Sequence, residues 1–264
     1  MKAPFLTIFL FVFTLLHAQD KIEKEPEKPE LPGNHKAFLK LPEERRNEFA
    51  QHVLKAIRLL DKKRIFETID EVEKATKIFN ESAEIHNLRG SCYLEMEAFD
   101  KALVEFKKGA ALSPNNPSIE FNIAEVMFMT KQWQQSHDHF SAILKNTPDA
   151  NIELRRLTEF KILLCKMKLD QKAEARILAE KYDFLGDSPY YYYAQIAIAY
   201  DDGDQVKADE WLGIYSRIFP AQSSFPEALI GPNGSFSPPF VPSLRSDPRA
   251  GSGGTQQKQL PDNK

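Results

Sequence analysis

The stretch closest in residue type to a metal site is His137-Asp138-His139, and Cys92 with Cys165 is the one pair of thiols. On a helix, residues i and i+2 point about 200° apart, so the two imidazoles cannot close on one ion and read as solvated or rim histidines. His52 and His86 lie in different segments, with no carboxylate–histidine spacing between them. The cysteines also fall in separate segments, on the order of 20 Å apart if the helices between them pack at ordinary distances. They read as unpaired thiols, Cys92 buried. The run PYYYYAQ, Pro189 to Gln195, could cage a cation, but four consecutive helical residues span about 300° of the helix. Tyr193 therefore reads as core, Tyr191 as the lining of a groove, and Tyr190 and Tyr192 as half exposed. No G-x-S-x-G, H-E-x-x-H or Walker pattern occurs, and AGSGGT, Ala250 to Thr255, lacks the lysine of a phosphate loop. These readings call for no cofactor, no metal and no enzyme; what the residues could do is bind.

Both ends stand apart from the part that folds. Met1 and Lys2 precede the apolar run PFLTIFLFVFTLL, and a small residue, Ala18, closes it. That is the layout of a secretory signal peptide at 1–18, too short to span a bilayer comfortably, and it implies export to the periplasm, cell envelope or medium. Residues 19–41 are charged and Pro-rich as far as Asn34 and read as a linker; residues 222–264, rich in Pro, Ser and Gly, read as a disordered tail. The formal net charge of -3 becomes -4 when Lys2 leaves with the leader. So nearly balanced a chain offers no field for nucleic acid or an anionic membrane.

Between the ends lie about 185 residues, enough for one domain. With Ala83 as position 1, Gly90 falls at 8, Tyr93 at 11, Phe99 at 17, Ala102 at 20, Phe106 at 24, Gly109 at 27 and Pro114 at 32. One step of 34 residues on, Ala124, Met127, Trp133, Ser136, Phe140, Ile143 and Pro148 take the same places. Small residues let two helices approach, large ones fill the space around them, and the proline stops the second helix. This spacing resembles the tetratricopeptide repeat family. The resemblance implies an all-α solenoid of helical hairpins, a right-handed superhelix, over residues 42–220, with repeats at about 49–82, 83–116, 117–150, 154–189 and 190–221. The first repeat departs from the pattern at Lys55; the fourth, read from Leu157, Phe160, Leu164, Ala173 and Ile177, departs at Lys161 and Glu180.

In that family the first helices line a concave groove that holds a protein or peptide partner. The matching positions here are Asn87, Ser91 and Leu94 in the second repeat, Phe121, Glu125 and Phe128 in the third, and Tyr191 and Ile198 in the fifth, with Glu84, Ser118, Ala194 and Asp201 beside them. Phe121 and Phe128 lie on one helix face two turns apart, so both are expected to stand in the groove. The family's carboxylate clamp is not matched, since only Asn122 fits it. The expected function is an exported scaffold for protein–protein interaction. A second reading is an envelope subunit that self-associates by stacking through its terminal repeats; a third is an enzyme whose site carries no known signature.

Overall fold

The computed structural model describes residues 33–182 and 189–219. The expected leader, the expected linker as far as residue 32 and the expected tail lie outside them. Among the described residues there are eleven helices and no strand. A short helix α1 (Gly33–Leu39) precedes five pairs: α2 (Glu43–Asp61) with α3 (Ile65–Ile78), α4 (Ala83–Glu95) with α5 (Phe99–Leu112), α6 (Pro117–Met129) with α7 (Trp133–Asn146), α8 (Ile152–Lys168) with α9 (Lys172–Ala179), and α10 (Tyr190–Asp201) with α11 (Gln205–Ile218). Each pair packs on itself, and each of the first four second helices also packs on the first helix of the next pair. A lone hairpin could not cover its apolar faces, so stacking completes the core.

One turn closes every hairpin. Lys63, Glu97, Lys131, Asp170 and Gly203 each take a left-handed backbone, with φ between 55° and 75°. In the second hairpin the Glu97 amide donates to the Leu94 carbonyl at 2.9 Å and the Ala98 amide to the Tyr93 carbonyl at 2.8 Å; the other four turns repeat the pair. Carbonyls at the helix end are thereby satisfied before the chain reverses. The first three turn residues are 34 apart, the fourth comes 39 later and the fifth 33 after that. The surplus lengthens α8 to 17 residues, against 13 in α4 and in α6. Side-chain oxygens of Ser82, Asn116, Asn151 and Asp204 cap four of the helices at their starts.

Within a hairpin the small residues sit where the helices touch. A Cβ added to Gly90 would lie 2.6 Å from Cε1 of Phe106, which is itself wholly buried. One repeat on, Ser136 donates its hydroxyl to the Ala124 carbonyl at 2.9 Å, so a polar residue fits the small position without an unpaired group.

Two expectations are corrected. The linker expected through residue 41 ends earlier, because residues 33–39 are helical. Phe38 packs edge-on against Phe49 and Phe79, with centroids 5.2 and 5.3 Å away, and Asn34 donates to the carbonyls of Glu81 and Leu112 at 3.3 Å. Among the described residues no hairpin precedes the first one, and α1 supplies apolar cover on that side. In the fourth hairpin Ala173 and Ile177 are exposed, Ile177 by 61%, while Ala175 and Ala179 are buried. The longer spacing displaces the register that a strict period assigns to α9.

Candidate protein-binding surface

The first helices α2, α4, α6, α8 and α10 form one layer, and polar side chains tie parts of that layer together. Asn122 on α6 donates to Oδ1 of Asn87 on α4 at 2.8 Å, with both residues buried. Ser91 donates to the carbonyl of Asn87 at 2.8 Å. On the next step Lys161 of α8 reaches Glu125 of α6 at 2.5 Å, with the lysine fully buried and the glutamate nearly so. Burial pushes Glu125 above the ordinary carboxylate range and Lys161 below the ordinary amine range, each against the attraction of the other. Lys161 also lies 5.8 Å from the centroid of the Phe121 ring. The lysine that breaks the repeat pattern thus answers the glutamate expected to line the groove.

Six of the eight predicted groove residues are buried: Asn87, Ser91, Leu94, Phe121, Glu125 and Phe128. Phe121 packs on Phe140 at 5.0 Å and Phe128 on Trp133 at 4.9 Å between centroids, so neither stands in an open groove as expected. Both are 2% exposed, which makes them core. Tyr191 and Ile198 are partly exposed. Tyr192, expected half exposed, is buried against Trp211 and Phe219. Ala194 is buried, and Asp201 pairs with Lys172 at 2.9 Å.

A second polar system, which sequence reasoning missed, runs along the hairpin flanks. His52 bonds Glu71 at 2.7 Å across the first hairpin, and His86 bonds Glu105 at 2.8 Å across the second. The partners sit one 34-residue step apart, as do Lys55 and Arg89, and Lys74 and Lys108, which complete each cluster. In the third hairpin the two roles are exchanged: Glu120 faces His139 at 3.8 Å. A period of 34 applied to charged residues, and not only to apolar ones, would have found it. Burial alone would raise Glu71, but hydrogen bonds from Lys55, Lys74 and His52 outweigh it and hold the carboxyl at about 2. Glu105 is also held below its usual range, burial being outweighed by Lys108 and His86.

Cys92 and Cys165 are free and buried, and burial pushes both thiols up to about 12. His137 bonds Asp138 at 3.0 Å on the surface. Among the described residues no three His, Cys, Asp or Glu side chains converge as a metal site would require, and no helix is long and apolar enough to cross a membrane.

No family model and no curated protein matches the chain. Solved structures do. PilW, a widely conserved type IV pilus biogenesis factor, superposes with a TM-score of 0.54 at 15% identity over 65% of this chain and 78% of its own. The fold is a tetratricopeptide solenoid. Other matches are YrrB, a TPR protein with an unusual peptide-binding site (TM-score 0.43, 16% identity, 72% of this chain and 94% of its own), and the TPR-like repeats of a putative kinesin light chain from Podosopora anserina (0.47, 15%, 66% and 96%).

On this solenoid one stretch of accessible apolar surface on the first helices lies at the N-terminal end. A groove of about 460 Å³ runs between α1, α2 and the starts and ends of the second hairpin. Its apolar lining includes Phe38, Phe49, Val53, Leu54, Phe79 and Leu112, with Glu84 among the polar groups at its rim. Leu54 is 53% exposed. An open apolar floor with a polar edge suits a side chain from another polypeptide better than a small polar substrate.

Proposed function

We infer that this chain is an exported scaffold that holds another protein, or an extended segment of one, against the inner surface of its solenoid, with the N-terminal groove as the principal contact. The observation that carries the reading is Leu54, a large apolar side chain left in the open on a first helix beside Phe38, Phe49 and Val53. Single exposed apolar residues occur elsewhere on this chain, but Leu54 continues the apolar lining of a groove, and a contiguous patch of that kind is accounted for by a partner that covers it. Tyr191 and Ile198 of α10, partly exposed, extend the same inner layer and form the second contact. The apolar leader supports export, and the likeness to a pilus biogenesis factor accords with a place in a cell envelope.

Capture of partners from a native envelope fraction by the tagged chain tests this. Leu54→Glu should leave the melting temperature within a few degrees, because the side chain is already in solvent, and should abolish recovery of the partner. Undiminished recovery by Leu54→Glu, with loss on Tyr191→Ala/Ile198→Ala, would move the site to the fifth hairpin.

A further inference from the structure

The flank that carries the acid–base clusters changes character along the solenoid. Where the first three hairpins place His52 and Glu71, His86 and Glu105, and Glu120 and His139, the fifth places Tyr192 and Trp211, their centroids 6.3 Å apart. Where the first two add Lys74 and Lys108 one turn further along the second helix, the fifth has Ile214. Trp211, Ile214 and Ile218 follow one another at i, i+3 and i+7, so they share one stripe of α11. That stripe is separate from the one that buries Ala208 and Tyr215 in the core. Ile218 is 49% exposed, and Trp211 and Ile214 are partly so. Trp211 and Ile214 rest one side on the core, and their outer sides, with Ile218, stand where the earlier hairpins carry charged groups.

The chain carries a fitting occupant. It leaves α11 at Phe219, next to Ile218, and runs on to residue 264. Ala228 to Leu244 contains no charged side chain, and its centre, Phe236 to Pro242, reads FSPPFVP. We propose that Phe236 to Pro242 of the chain's own tail docks on the Trp211, Ile214 and Ile218 stripe. Proline restricts this sequence before it binds, so little conformational entropy remains to be lost, and an aromatic surface is the usual complement of such a segment. No charge has to leave water. About sixteen residues separate the segment from Phe219, a tether that holds the local concentration near the millimolar range, above any second copy in dilute solution. The stripe is distinct from the N-terminal groove, so this inference stands or falls apart from the proposed function.

The test uses the full chain with p-benzoylphenylalanine placed at Ile214, and separately at Ile218, in an equal mixture of ¹⁴N- and ¹⁵N-labelled protein. After irradiation, mass spectrometry should find position 214 or 218 joined to residues 236–242 within one chain. That product should fall at least fivefold in the Phe236→Ser/Phe240→Ser variant, whose melting temperature should be unchanged. Products of mixed isotope would give the stripe to a second copy. Products elsewhere in the chain, or none at either site, would equally overturn the proposal.

Discussion

From α2 to α7 the chain repeats one solution every 34 residues, whereas beyond Asn151 its turns come 39 and then 33 residues apart. The two regions also use their charges differently. In the periodic part, Glu71 and Glu105 each sit at a flank among three basic groups, and two of those groups, Lys55 with Lys74 and Arg89 with Lys108, come from both helices of the hairpin. At the junction with the irregular part, Glu125 and Lys161 form one dry pair between hairpins. Ties within a hairpin can stay near water, because the apolar repeat already sets the geometry. The dry pair comes where the repeat stops setting it. A buried pair adds little net stability over an apolar isostere, yet it penalises every register that separates the two charges. Its position suits a device that fixes how α8 lies on α6.

Breaking that pair should give the largest effect. Lys161→Met leaves a buried carboxylate without a partner, a change that costs about 3–5 kcal/mol. Replacing both partners, as Glu125→Leu with Lys161→Met, should recover most of it. Chemical denaturation of the two variants checks this: a double variant as unstable as the single one would mean that the pair is net stabilising and not chiefly a register device.

The next effect tests the periodic region. Gly90→Ala drives a methyl into the Phe106 ring, which has no free side to retreat to, and should cost about 1–3 kcal/mol by overpacking. Ala179→Gly in the irregular fourth hairpin opens space instead and should cost about 1 kcal/mol. Equal losses at the two sites would erase the contrast in packing.

The spacing that makes Gly90 sensitive was readable in the sequence, because a glycine opposite a phenylalanine recurs as Ala124 opposite Phe140 one period later. The first three turns, at Lys63, Glu97 and Lys131, keep the same step of 34 residues. Three things were not readable. α1 has only seven residues and too little apolar content to stand out from its charged surroundings, and its stability comes from Phe49 and Phe79, distant in sequence. The burial of Phe121 and Phe128 depends on how closely Phe140 and Trp133 approach, which no pattern within α6 encodes. The register of α9 was hidden by the long step between turns. Of the candidate site, the inner layer was legible as a layer, but which part of it stays open was set by packing between hairpins.

A smaller effect distinguishes the flank clusters by pH. Glu71 is held at about 2, below its ordinary value of 4.5, so its cluster contributes stability above about pH 4.5 that is lost as pH falls toward 2. Glu71→Gln should therefore lower the melting temperature at pH 7 and flatten its decline between pH 5 and 2.5. A decline as steep as in the parent chain would show that the first hairpin draws nothing from the cluster. Because Lys55 and Lys74 reach into solvent, the difference should shrink in high salt.

The smallest effect concerns the turns, where the last hairpin lacks the side chain that the other four carry. Glu97 closes a periodic hairpin with a left-handed backbone at φ 55°, and Gly203 closes the last one at φ 75°. A side chain in that region crowds the following carbonyl, a strain of about 1–2 kcal/mol. Glycine removes the strain but gives the unfolded chain more freedom, about 0.4–1 kcal/mol. Glu97→Gly should then stabilise the fold by roughly 0.5 kcal/mol, the difference between those two terms. Gly203→Ala should destabilise it by a similar amount. No atom lies within 4 Å of where a Cβ on Gly203 would stand, so the second change is free of packing and reads the backbone alone. Differential scanning calorimetry on both variants should show melting temperatures moving in opposite directions. Movement in the same direction would mean that the Glu97 side chain does more in its turn than tolerate it, and that the periodic hairpins hold their turns by something the last hairpin lacks.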